Sequence, residues 1–391
     1  MKKIILLSAL TSSMLLATNG DNLISLGAES RAMGGTGIAL GMGTDSVFKN
    51  PAWLADVEGT EAMFGATIFM PDVSAKNGNA SNQEGTSKAD MSLIPAVAHA
   101  GRINENLAYG VGMFGVSGMG ADYRDEPATK GLGSMNTSFQ YMRFVPSIAY
   151  KQENLRVGAG LTLAYGSLNI SATDNLGVQQ GGGVSSDFGF GAQVGAGYSI
   201  TPEVTVGTYY QTEVKTEYKN VYNFDGLPGY EDLKLSQPAE YGVGVAYKKD
   251  ALTLTADVTQ ILWSSADGYD SFGWDDQTVV ALGTAYDVNP QLTLRAGYSH
   301  ANSPIDDQFT TARVSSANVP MPASSLAFFN IMGFPAISED HITVGLGYQF
   351  SDKIGVDVAF VHSPEETLKA YNMEVSNKQN SISGALKYKF D

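Results

Sequence analysis

The feature that most constrains this chain is a two-residue alternation that returns over most of its length. In "LRVGAGLTLAY" (155–165), Val157, Ala159, Leu161, Leu163 and Tyr165 fall on one face, and Arg156, Gly158, Gly160, Thr162 and Ala164 on the other. The stretches 251–262, 291–299 and 353–361 repeat the pattern. Successive side chains of a strand point to opposite faces, so a period of two means strands with one apolar face. A soluble sandwich and a membrane barrel both satisfy this. Three further features favour the barrel. The polar faces hold small residues and isolated charges (Asp257, Arg295, Asp357), as a lumen would. Tyr209, Tyr210, Tyr247, Tyr286, Tyr298, Tyr348 and Phe350 gather near strand ends, where aromatic girdles meet lipid headgroups. Short connections such as "KKDA" and "FSDKI" alternate with long ones such as 303–339, matching short periplasmic turns and long outside loops.

The expected fold is therefore all-β: a transmembrane antiparallel β-barrel of about fourteen strands, an even number as bacterial single-chain barrels have. The third strand is expected at 106–118, the seventh at 203–217 and the ninth at 251–265. The final stretch places Ile382, Gly384, Leu386, Tyr388 and Phe390 on one face. An aromatic at this end resembles the assembly signal of outer-membrane barrels, although Asp391 follows it.

The first residues, "MKKIILLSALTSSMLLA", have Lys2 and Lys3 before a short apolar run, the layout of a secretory signal peptide covering 1–17. There is no cysteine, so disulfides and thiol ligands are excluded. Without Lys2 and Lys3 the chain carries 22 basic against 40 acidic residues, which excludes nucleic acid as an expected partner. The four histidines (His99, His300, His341, His362) show no metal spacing. "GGTGIALGMG" lacks the Lys-Ser/Thr end of a phosphate loop. No enzyme, cofactor or metal is expected.

Residues 18–58 break the alternation. They are glycine-dense yet contain Met33, Ile38, Leu40, Val47, Phe48, Trp53 and Leu54, too apolar for a free leader. A fourteen-stranded lumen is wide enough to take contents, and glycine lets backbone pack closely. The expected division is signal peptide 1–17, lumenal segment 18–58 and barrel 59–391. In loop 303–339, Met321, Leu326, Phe328, Phe329, Ile331, Met332 and Phe334 are expected to form a hydrophobic landing site over the barrel mouth, with Arg31 and Arg313 as candidates to pair a carboxylate head group.

The run "LGAESRAMGGTGIALGMGTDSVFKNPAWLA" resembles the N-terminal hatch of the FadL/TodX family of outer-membrane transporters for long-chain fatty acids and other hydrophobic compounds. The matching residues are Gly27-Ala28, Arg31-Ala32-Met33-Gly34-Gly35, Asp45 and Asn50-Pro51-Ala52, and Phe48 is expected in the same hatch. The resemblance implies a plug in the lumen and passive import of a hydrophobic molecule. It also implies lateral release through an inward kink of the third strand. That strand is rich in glycine, and glycine in a strand marks bulges and kinks. The opening is expected at Gly112, Phe114, Gly115 and Gly118, with Met113 and Met119 lining it. The partners expected are the hydrophobic substrate, outer-membrane lipid and lipopolysaccharide, and the barrel assembly machinery, with a monomeric protein. The alternatives are a general diffusion porin and a purely structural barrel.

Overall fold

A computed structural model describes residues 18–173, 177–224, 228–314 and 320–390, with the side chain of Arg313 left out. The expected signal peptide lies outside the described residues. Fourteen long strands pair antiparallel in chain order: β1 Thr60–Asn77, β2 Ser92–Arg102, β3 Leu107–Met119, β4 Asn136–Gln152, β5 Leu155–Thr173, β6 Ser185–Ser199, β7 Val204–Gln211, β8 Glu240–Lys249, β9 Leu252–Ile261, β10 Gln277–Asn289, β11 Leu292–Ala301, β12 Asp340–Gln349, β13 Ile354–Ala370 and β14 Met373–Lys389. β14 pairs with β1 in unbroken register from Met373↔Asn77 to Lys389↔Glu61, which closes the sheet into a barrel. Closure joins the first strand to the last, so most backbone polar groups of the wall are satisfied within it.

The faces are inverted relative to a soluble protein. Leu161 is 68% exposed and Phe190 76%, while their neighbours Arg156, Gly160, Thr162 and Ala164 are buried. The apolar face points out and the small, polar face points in, which only a lipid surround rewards. On β5 the outward apolar run extends from Leu155 to Tyr165. At about 3.3 Å per residue and about 40° of tilt, it covers about 25 Å of bilayer.

Two strands end earlier than the alternation suggests. β7 stops at Gln211, because residues 212–216 fold over the mouth. There Val214 bridges to Gln237 and Thr216 Oγ1 donates to the Leu235 carbonyl at 2.7 Å. Residues 217–222 then pair with 231–234 in a separate hairpin. Charged residues still alternate with uncharged ones there (Glu213, Lys215 and Glu217 against Val214, Thr216 and Tyr218), so the pattern does not reveal that the chain has left the wall. β9 ends at Ile261, and Trp263–Ser265 turn as a 3-10 helix. Trp263, Tyr269 and Trp274 pack there with ring centroids 4.6–5.2 Å apart.

Candidate substrate path

Residues 18–57 form short irregular pieces and are mostly buried against the inner face of the wall. A five-residue helix (Ala28–Ala32) is followed by a reversal at Gly34 and Gly35, whose φ angles of +71° and +85° suit glycine. Gly34 N donates to Thr343 Oγ1 at 2.9 Å, on β12. Gly37 N and Ile38 N donate to Asp257 Oδ2 on β9, at 2.8 and 3.0 Å. The chain then runs through Ser46–Lys49 into a 3-10 helix at Pro51–Asp56. Asn50 caps that helix, accepting from Ala52 N at 3.1 Å, with Pro51 at the first turn where its missing N–H costs nothing. The Asn50 amide donates to Ile38 O at 2.7 Å and to Ala196 O of β6 at 3.1 Å. The wall makes room with glycine. A Cβ on Gly207 would lie 2.0 Å from the Ile38 carbonyl oxygen, and one on Gly297 2.2 Å from Gly34 N.

Charge fixes the other end of this segment. Glu29 contacts Lys387 at 2.5 Å and Arg295 at 3.1 Å, and both cations also reach Asp357, at 3.0 and 2.7 Å. Burial works to raise the Glu29 pKa, but Lys387 and Arg295 outweigh it and hold the carboxyl at about 2. Asp45 is buried nearby, and neither carboxylate oxygen has a hydrogen-bond partner. Burial pushes its carboxyl up to about 7, against the downward pull of Lys387. At the opposite end Asp21 accepts hydrogen bonds from Tyr269 and from Gln237. Burial pushes it up to about 6, with those donors opposing.

β3 is the irregular strand of the wall. Its pairing with β2 ends at Ala96↔Phe114, although β2 continues against β1 as far as Phe69↔Ser92. On its other side a bulge at Val116 shifts the register against β4 between Gly115↔Met142 and Ser117↔Tyr141. From Phe114 onward every residue of β3 is buried, so the in–out alternation stops there. Thr18–Asn19 and Asn22–Leu23 pair as a short N-terminal hairpin, and Ser117 pairs with its Asn22 instead of with β2. Leu23 of that hairpin packs in one cluster with Ile94 of β2 and Phe69 of β1. A Cβ on Gly112 would meet Phe48 and Val47 at 2.7 Å, and one on Gly115 would meet Ile94 at 2.7 Å. The Phe48 ring meets Phe114 edge-on at 4.1 Å.

Between the N-terminal segment and the wall lies a cavity of about 50 Å³. Leu23, Ile24, Phe48, Val116 and Ile261 line its apolar part, and Asn19, Asn22, Lys49 and Arg143 its polar part. Lys49 and Arg143 had no sequence signal, because a lone cation in a strand or turn looks the same whether it faces lumen or solvent.

The structure brings Gly112, Phe114, Gly115 and Gly118 together at the departure of β3, with Met119 buried beside them. Met113, one residue before Phe114, is 49% exposed on the outer face. The residues of the expected landing site fold together at the barrel mouth. Phe329, Met332 and Phe334 are buried, with Phe328 partly so, in a helix and π-helix spanning Ala323–Gly333. They fold into the mouth because seven apolar side chains gain more from mutual burial than from water contact. Arg31 is fully buried and donates to Ser25 O at 3.0 Å and Ser381 Oγ at 2.6 Å, which fits it to holding the segment in place rather than to a head group. The Arg313 side chain lies outside the described residues.

A closed, inside-out barrel with its own N-terminal residues packed against the inner wall defines an outer-membrane transport barrel. The chain belongs to the outer membrane protein transport protein family (OMPP1/FadL/TodX), whose model matches residues 17–319. It is an outer-membrane, multi-pass barrel of the Gram-negative type, in a family of transporters rather than enzymes. It is 22% identical over 418 residues to a long-chain fatty acid transport protein of Escherichia coli O6:H1, covering 89% of each chain. An uncharacterized protein of Chlorobium limicola is 43% identical over 95 residues, 23% of this chain and 44% of that protein. Among solved structures, a Pseudomonas aeruginosa FadL homologue superposes with a TM-score of 0.74 at 17% identity, covering 95% of this chain and all of that one. The P. putida toluene transporter TodX gives 0.71 at 20% identity, covering 94% and 99%. At these identities the structural likeness speaks to the fold.

Proposed function

We propose that this protein passively imports hydrophobic small molecules, long-chain fatty acids or aromatic and aliphatic hydrocarbons, with residues 18–58 as a hatch and lateral release where β3 leaves β2. The observation that carries this reading is the end of β2–β3 pairing at Ala96↔Phe114, with the rest of β3 turned inward onto the N-terminal hairpin. An apolar solute gains about 0.8 kcal/mol per buried CH₂, so a route that opens into the bilayer spares it a return to water. The named activities of the E. coli and P. putida relatives are of the same kind. A general diffusion porin needs a continuous aqueous lumen, and here residues 18–57 pack, mostly buried, against the inner face of the wall.

The test is deletion of Val116, the extra residue of the bulge, which lets β3 realign with its neighbours. The barrel should still assemble, seen as heat-modifiable mobility in detergent gels, while uptake of labelled oleate and toluene by cells falls to the level of a strain lacking the protein. Wild-type uptake by a correctly assembled deletion variant would rule out lateral release at β3.

A further inference from the structure

The lipid-facing side of β9–β11 is bulky except at one place, where each strand drops a large side chain. β9 turns Leu252, Leu254 and Val258 outward, with Ala256 among them. β10 turns out Val280, Leu282 and Tyr286, with Thr284 among them, and β11 places Ala296 between Leu294 and Tyr298. Thr284 pairs with Ala296, and Ala256 lies one diagonal step from Thr284, opposite Leu282. The three small residues therefore adjoin. They leave a recess of about 620 Å³ walled by Val245, Tyr247, Leu254, Leu282 and Tyr298. That volume falls within the about 300–1,000 Å³ of ordinary ligand pockets. The wall is thin here from both sides. Gly283 and Gly297 line the recess, and on the lumen side a Cβ on Gly283 would lie 2.6 Å from the Met33 carbonyl oxygen.

The recess has a polar edge toward the periplasm. Tyr247, Leu254, Thr284 and Ala296 form one row across the strands. Lys249, Leu252 and Tyr286 form the next, beside the short turn at 250–251. Two residues of strand put Lys249 about 7 Å beyond Tyr247 on the same face. Lys249 is exposed, and among the described residues no carboxylate pairs with it. Lys248 and Lys249 against Asp250 leave this turn net positive. The acids of the adjoining elements are engaged: Asp287 accepts from the Thr293 hydroxyl at 2.6 Å, and Glu203 from the Thr201 hydroxyl at 3.0 Å. An aliphatic recess within the bilayer that ends at a cation and a phenol at headgroup depth matches a phospholipid, its chain in the recess and its phosphate on the ammonium. We propose that this recess holds an acyl chain of an anionic glycerophospholipid of the periplasmic leaflet, with the phosphate on Lys249. The site is separate from the departure of β3 and stands whether or not the protein imports apolar solutes. A chain seated there packs against the wall that carries Met33 and Gly34 on its other side, so the bound lipid braces the seat of the N-terminal segment.

The test uses the full chain purified in detergent. Dioleoylphosphatidylglycerol and dioleoylphosphatidylethanolamine are added singly and read by native mass spectrometry, and a phosphatidylglycerol with a diazirine in its acyl chain locates the contact. The wild type should retain one phosphatidylglycerol at least fivefold better than phosphatidylethanolamine, with crosslinks within 245–256 and 282–298. Lys249→Gln should erase the preference. Ala256→Leu with Ala296→Leu should cut retention of both lipids at least tenfold and remove the crosslinks. Equal retention of the two lipids by the wild type, an undiminished preference in Lys249→Gln, or crosslinks spread evenly around the barrel overturns the proposal. So does a dimer that the filled variant loses, which would give the recess to a second copy of the chain. Should the filled variant fail to assemble, the position of the wild-type crosslinks decides.

Discussion

Glu29 and Lys387 meet at 2.5 Å, joining the first helix of the N-terminal segment to the last strand of the wall. Chain ends separated by the whole barrel are thus held by one ion pair, with Arg295 and Asp357 completing the ring. Lys387→Met leaves two carboxylates to one guanidinium. Removing one partner of a fully buried pair costs about 3–5 kcal/mol, and here, with both side chains about a fifth exposed, the loss should be smaller. The heat needed to unfold the barrel in gel-shift assays should fall, and planar bilayers should show channel openings that the wild type lacks. An unchanged transition with silent bilayers would mean that Arg295 alone retains the segment.

The same corner should respond to pH. The Glu29 carboxyl is depressed to about 2 against an ordinary value of 4.5, so its contribution is present above pH 4.5 and is lost as pH falls toward 2. Asp45 has the opposite sign. Its carboxyl is raised from 3.8 to about 7, so the folded form holds a proton that the unfolded chain has released, and stability falls as pH rises from about 4 through 7. Asp21, raised to about 6, acts in the same direction. Bilayer openings should therefore be rarer at pH 5 than at pH 8, and Asp45→Asn with Asp21→Asn should remove the difference. A double variant that keeps the full pH dependence would assign it to other groups.

Gly207→Val places side-chain carbon where the Ile38 carbonyl now sits. The wall, being closed and paired on both sides of β7, should still form. The N-terminal segment should lose its seat, so that protease added to the periplasmic side of vesicles cleaves within residues 18–58 while the barrel resists. Full protection of the segment in the variant would show that it reseats elsewhere on the wall.

Trp263→Ala removes a fully buried ring that touches Tyr269 and Trp274 and lies over Gly20. A loss of about 3–5 kcal/mol is typical of such a truncation. Its effect should be local, seen as chymotrypsin cleavage of the loop after β9 in intact cells. Resistance equal to the wild type would mean that the loop cap does not depend on this ring.

Most of the barrel was legible in the sequence because its signal is strictly local. Leu161 beside Thr162, or Ile382 beside Ser383, states the facing of each residue without reference to any partner. The departure of β3 was legible only as glycine enrichment, since Gly112 and Gly115 do not say which neighbour the strand abandons. That depends on Asn22, far away in the chain, taking the place of β2 at Ser117. Long-range choices hid the rest. Nothing in loop 303–339 tells an exposed apolar patch from one folded into the mouth.

The seam from Met373↔Asn77 to Lys389↔Glu61 carries a consequence for biogenesis. It joins the final hairpin to the strand that immediately follows the lumenal residues, so the wall seals beside the point where those residues enter it. The last hydrogen bonds of assembly therefore form next to the root of the segment that the finished cylinder has to hold.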